Sequence, residues 1–402
     1  MSDATQTPVI HTTRVASLGA SRPEMPPAPG FLASEGPSVV LGGADPLLGP
    51  VRPDERTLFG PRGAHLFGAN GPLWVADTGH HRLLGWAQRP VEDNQPADFV
   101  LGQPDFGREG RNALGDASAL TMNVPTGINA FGEDGLIVCD AWNNRVLIWF
   151  TRPAASHVPA DIVLGQADFT GQYPNRERPG ATADSMHWPF QAMVHQGRLY
   201  VADTGNRRVL VWRTLPTATG QPADFVLGQP ALDERSDNGG QDAGPTSMRW
   251  PHDLAIFNGN LVVTDAGDNR VLVYDGLPDR TNQPAAIALG QPDFASVDHN
   301  QGKYWPDAEC MNMPYAVAAT SQAILTGDTA NSRLLYTEAP LHTGKGASKL
   351  AGQPHFATKG DNRWGQVARD SLCWPYGLQV CGDTLVVSDT GNHRILLWGL
   401  ER

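Results

Sequence analysis

The chain has 402 residues, of which Gly 44 and Pro 33 together make up about a fifth, while charged residues reach only 18%. That balance describes short strands joined by turns around a sizeable core, since 40% of the residues are hydrophobic, and it argues against a helical bundle, a coiled coil or a disordered chain. A formal net charge of -12 opposes the basic surface that nucleic acid or an anionic membrane requires.

From the N-terminus, residues 1–37 carry six prolines and no continuous apolar run, so they read as a flexible Pro-rich tail rather than a secretory or transit segment. No run approaches the length of a membrane span, and the expected location is cytoplasmic. Cys139, Cys310, Cys373 and Cys381 form no Cys-x-x-Cys pair and are expected as reduced thiols. A VLGG strip at 39–43 follows, with no strands before it.

Beyond it the chain repeats. LWVADTGHHRLLGW, LIVCDAWNNRVLIW, LYVADTGNRRVLVW, LVVTDAGDNRVLVY, AILTGDTANSRLLY and LVVSDTGNHRILLW align without internal gaps. Their aspartates, Asp77, Asp140, Asp203, Asp265, Asp328 and Asp389, lie 61 to 63 residues apart, and each has an arginine five places on. A second strip of the VLGQPDF kind and a third beginning at Pro61, Pro125, Pro189, Pro251, Pro314 and Pro375 recur in phase. Alternating apolar runs with turn residues at their ends predict four antiparallel strands per unit. Six such units, starting near 58, 121, 185, 247, 310 and 371, stack most economically as a closed ring over 38–402. Residues 39–48 would complete the sixth unit and hide its edge.

These strips resemble NHL repeats, and the resemblance implies an all-β, six-bladed β-propeller. It implies less about function, because NHL propellers include protein-binding, RNA-binding and enzymatic members.

Repeated features are read as structure: the six Asp–Arg pairs as turn locks, and the loop asparagines Asn112, Asn175, Asn238, Asn300 and Asn362 as loop locks. Function is sought where the repeat breaks. The glycine two places after each blade's proline becomes Gln191, Asp253 and Ala316 in three successive blades, and His252 precedes Asp253. Trp142 takes the glycine place in the second blade's turn, while His187, Trp188, Arg249 and Trp250 lead into the prolines of blades three and four. The start of the first strand, the second-to-third turn and the fourth-to-first loop share one face of an antiparallel blade, and aromatic and arginine side chains there mark an interface. Trp142, His187, Trp188, Gln191, Arg249, Trp250, His252 and Asp253 form the expected binding patch.

The five long loops of that face sum to a net charge of -3, unlike the basic face of RNA-binding NHL proteins. Six-bladed lyases and lactonase-type hydrolases hold a metal in or above the channel, but of His65, Asn129, Gln191, Asp253 and Gln379 only one is a carboxylate. The expectation is a monomeric, non-catalytic scaffold that holds a protein or peptide partner, with no cofactor, no metal, no nucleic acid and no membrane. An accessory role in assembling a metalloenzyme such as a nickel–iron hydrogenase is one form of it. The alternative is a channel-centred, metal-dependent lyase or hydrolase.

Overall fold

In a computed structural model of the chain, which describes residues 26–43 and 52–401, six four-stranded antiparallel sheets form a six-bladed β-propeller. Blade three is representative, with strands Pro189–His195, Arg198–Asp203, Arg208–Trp212 and Phe225–Leu227 running from channel to rim. Blade six consists of Pro375–Cys381, Thr384–Asp389 and Arg394–Gly399, completed by Val39–Gly42, which pairs antiparallel with Arg394–Gly399. Residues 44–48 of the expected closing strip lie outside the described residues. The core is a set of apolar seams, each filled by side chains of two adjacent blades. All four cysteines are unpaired. Among the described residues, no helix is long and apolar enough to cross a membrane.

The outermost strand of each blade would expose unpaired backbone groups, and the ring caps these edges in a repeated way. The connection between the third and fourth strands reaches back over the preceding blade. Val100 donates its amide to Ser156 Oγ at 3.0 Å and accepts from the His157 amide. Val163, Ala288 and Val40 are capped likewise by Thr219, Thr343 and Asp93 with the amides that follow them. Blade six draws its fourth strand from the other end of the chain, so it has no such connection to lay over blade five. Residues 26–37 take that place. Leu350 donates to the Pro29 carbonyl at 2.8 Å, and Ala28 donates to that of Pro354. Trp398 bonds the Ala33 carbonyl as Trp86, Trp149 and Trp212 bond carbonyls in their own capping connections.

The loose tail expected over 1–37 is therefore corrected for its last dozen residues, while 1–25 lie outside the described residues. Phe31 and Leu32 supply the reason. Phe31 is fully buried against Tyr336, and Leu32 bridges to Leu400. These two apolar side chains anchor the segment together with its backbone hydrogen bonds.

Candidate functional site

The second-to-third turns form a buried layer that repeats around the ring. In blade three, Asp203 Oδ1 accepts the His187 amide, and Oδ2 accepts Arg208 Nε and Asn206 Nδ2, both at 2.8 Å. Arg208 extends to the carbonyls of Leu232, Thr182 and Ser185, tying down both ends of the long loops. Asn206 and Asn175 exchange amide hydrogen bonds at 2.8 and 3.0 Å, so the loop leaving blade two is latched to the turn of blade three. Asn112 with Asn143, Asn300 with Asn331 and Asn362 with Asn392 do the same. Every carboxylate and guanidinium of these pairs is buried and matched, which leaves them no free valence for chemistry.

A second link joins neighbouring blades. The residue after each turn adopts a left-handed conformation. At five junctions its side chain accepts the amide of the residue before the next blade's proline. His81 accepts from Val124, Asn144 from Trp188, Asn269 from Met313, Ser332 from Trp374 and His393 from Gly60. The five donor residues all have φ between 50° and 57°. At the junction of blades three and four the accepting position is Arg207, which has only donors. The link is absent, and Trp250 alone of the six keeps a negative φ. Its amide goes to Asp265 Oδ1 at 3.1 Å, and its carbonyl takes the Ala266 amide and His252 Nδ1.

The residues after the prolines converge at the mouth of the channel. His252 stacks on Tyr315 with ring centroids 4.1 Å apart and meets Phe190 at 4.5 Å, while Tyr376 lies 4.6 Å from Tyr315 beneath the Arg62 guanidinium. Burial pushes the His252 imidazole down to about 4, so it packs as a neutral ring whose Nδ1–H meets the Trp250 carbonyl. Below this plug lies a cavity of about 190 Å³ lined by His65, Asn129, Gln191, Asp253 and Gln379. Both oxygens of Asp253 are engaged: Oδ1 accepts from Leu254 N and Gln191 Nε2, and Oδ2 from Val317 N. Burial nevertheless raises its carboxyl to about 7. Desolvation, helped by Arg152, lowers His65 to about 3. Asp253 thus staples blades three, four and five across the channel wall. Among the described residues, no three His, Cys, Asp or Glu side chains gather as a metal site.

The expected patch is accordingly split. His187, Trp188, Trp250 and His252 line one pocket of about 340 Å³, together with Thr204, Gly205, Arg207 and Tyr315. Arg249 stands at its edge, its guanidinium 5.3 Å from the Trp250 ring and 3.5 Å from Asp237. Gln191 and Asp253 turn inward to the channel, and Trp142 lies apart under Arg111. His252 and Asp253 are buried, at 7% and 5% accessible, so neither offers an exposed side chain to the expected patch. His252 is covered by the Phe190 and Tyr315 rings, and Asp253 faces the channel cavity between Gln191 and Val317. Sequence reasoning missed Arg207, although its signal was available: a donor-only side chain at a position where other blades carry His, Asn or Ser.

Large exposed apolar side chains concentrate on the same face. Phe59, Leu114, Trp142, Tyr173, Trp188, Tyr304, Trp364, Val367 and Trp374 all belong to long loops, turns or strand lead-ins there, whereas among the described residues only Val91 and Phe150 belong to the opposite face.

The family model of the NHL repeat matches residues 248–274, the stretch from Met248 through the third strand of blade four. No curated protein matches the chain. Solved structures similar to it include the WD40 β-propeller domain of Doa1, with a TM-score of 0.46 and 8% identity over 91% of this chain and 97% of that one. A streptogramin B lyase gives 0.43 and 12%, covering 87% and 95% of the two chains. Virginiamycin B lyase from Staphylococcus aureus gives 0.41 and 11%, covering 85% and 94%. The chain is a six-bladed β-propeller that carries an NHL repeat in its fourth blade.

Proposed function

We propose that this propeller is a non-catalytic binding scaffold that holds a protein or peptide through its loop-rich face. One observation carries the reading: of eleven large apolar side chains exposed among the described residues, nine lie on that face. Four of them are tryptophans, Trp142, Trp188, Trp364 and Trp374. Exposed indoles supply large contact area at small entropic cost and dominate binding hot spots. The frame beneath is rigid, because every long loop springs from the buried turn layer, so the aromatic side chains are presented without ordering a loop on binding.

The test is co-purification from the native host with the wild-type chain and with a Trp142→Ala, Trp188→Ala, Trp374→Ala triple variant. These indoles are about half exposed, so the variant should keep its melting temperature within a few degrees and lose the partner. A partner retained equally by both proteins would defeat the proposal.

A further inference from the structure

Resting on that reading, we infer that the broken junction between blades three and four is the specificity pocket of the scaffold, and that it takes one aromatic side chain of a peptide flanked by a carboxylate.

The inference begins with Arg207. Five junctions are closed by a side-chain acceptor that holds the next blade's lead-in in a left-handed conformation. Here no acceptor exists, so Trp250 keeps an ordinary backbone conformation and bonds within its own blade. The space beside it is the 340 Å³ pocket, at the small end of the range for ligand sites and open to the face. Its walls are rings. Trp188 is half exposed, Trp250 stands opposite in blade four, and the His252–Tyr315 stack forms part of the lining. Burial holds His252 neutral and lowers His187, so the walls carry no positive charge at neutral pH from either imidazole. A flat aromatic guest matches such walls by stacking and edge contacts.

The charge at the pocket is also specific. Arg207 is pinned by Nε to Asp237 Oδ1 at 2.6 Å and by Nη1 to the Gly205 carbonyl, while Nη2 makes no hydrogen bond to any described residue. Asp237 also faces Arg249, so one carboxylate is shared by two guanidiniums. An oriented guanidinium with a spare N–H can donate to a carboxylate, and a carboxylate beside the aromatic guest would accept it. The pocket opens onto a face with further exposed indoles, including Trp142 and Trp374, so its surroundings fit a chain that continues beyond one side chain better than an enclosed small molecule.

The experiment measures fluorescence polarisation of labelled hexapeptides centred on Trp-Glu, Trp-Lys or Ala-Glu. The Trp-Glu peptide should bind at least ten-fold more tightly than the other two. Arg207→Asn provides an acceptor like that of Asn144, so it should restore the junction, close the pocket and abolish Trp-Glu binding with an unchanged or raised melting temperature. Arg207→Ala should weaken Trp-Glu binding toward the Trp-Lys level while leaving the pocket open. Equal binding of the three peptides, no Trp-Glu binding at millimolar concentration, or Trp-Glu binding indifferent to Arg207→Asn would each overturn the inference. If binding survives Arg207→Asn but falls in Trp142→Ala or Trp374→Ala, the scaffold reading stands and only this pocket is refuted. Loss of co-purification in the triple variant, read separately, decides the scaffold reading itself.

Discussion

The turn layer and the channel mouth are built from the same six repeats, yet they use their polar groups differently. In the turn layer the donors and acceptors of Asp203, Arg208, Asn206 and Asn175 close on one another, and nearly the same set recurs in other blades. At the mouth above blades three to five the residue types His252, Arg207, Arg249 and Asp253 occur once each at their positions in the repeat, and at Arg207 the repeated link to the next blade is replaced by bonds of Trp250 within its own blade. Repetition therefore marks where the chain spends its sequence on holding the ring together, and departure marks where one blade differs from its neighbours at little cost to the ring.

Breaking the turn layer should have the largest effect. Asp203→Ala would strand the buried Arg208 guanidinium and the Asn206 amide, and urea denaturation should show a loss of about 3–5 kcal/mol. The strap over blade five comes next. Phe31→Ala removes a fully buried ring against Tyr336 and should cost about 3 kcal/mol, whereas a truncation confined to residues 1–25 serves as its control. Equal melting temperatures for Phe31→Ala and the wild type would return residues 26–37 to the status of a tail.

Asp253 sharpens the comparison through pH. Its carboxyl is raised to about 7 by burial, so its contribution to stability is complete below about pH 4 and is lost as pH rises through about 7. The stability difference between wild type and Asp253→Asn should narrow over that window, as followed by melting temperature at fixed ionic strength. A difference that stays constant from pH 4 to 8 would mean that the folded and unfolded carboxyls titrate alike. The smallest stability effect belongs to the face itself: Trp374→Ala, half exposed, should shift folding by no more than about 1 kcal/mol in the same denaturation series.

The ring was legible because its signals repeat: aspartate, arginine and proline positions each occur six times in phase, and periodicity averages away local noise. The candidate site was legible only in part. Trp188 and Trp250 stand out by residue type, but the burial of His252 depends on rings from the neighbouring blades, Phe190 and Tyr315, that no spacing rule brings together. The strap escaped notice because two apolar residues among prolines carry no period. Arg207 escaped because it sits beside the repeated arginine, where its loss of acceptor capacity matters only once the neighbouring blade's amide is known to need one.

The most direct test of the division between frame and face is hydrogen exchange of the propeller with and without its co-purified partner. Binding should slow exchange at residues 187–188, 204–207 and 249–252 and leave the third-to-fourth connections at 150–161 and 213–224 unchanged. Protection confined to those connections would put the partner on the opposite face and contradict the account.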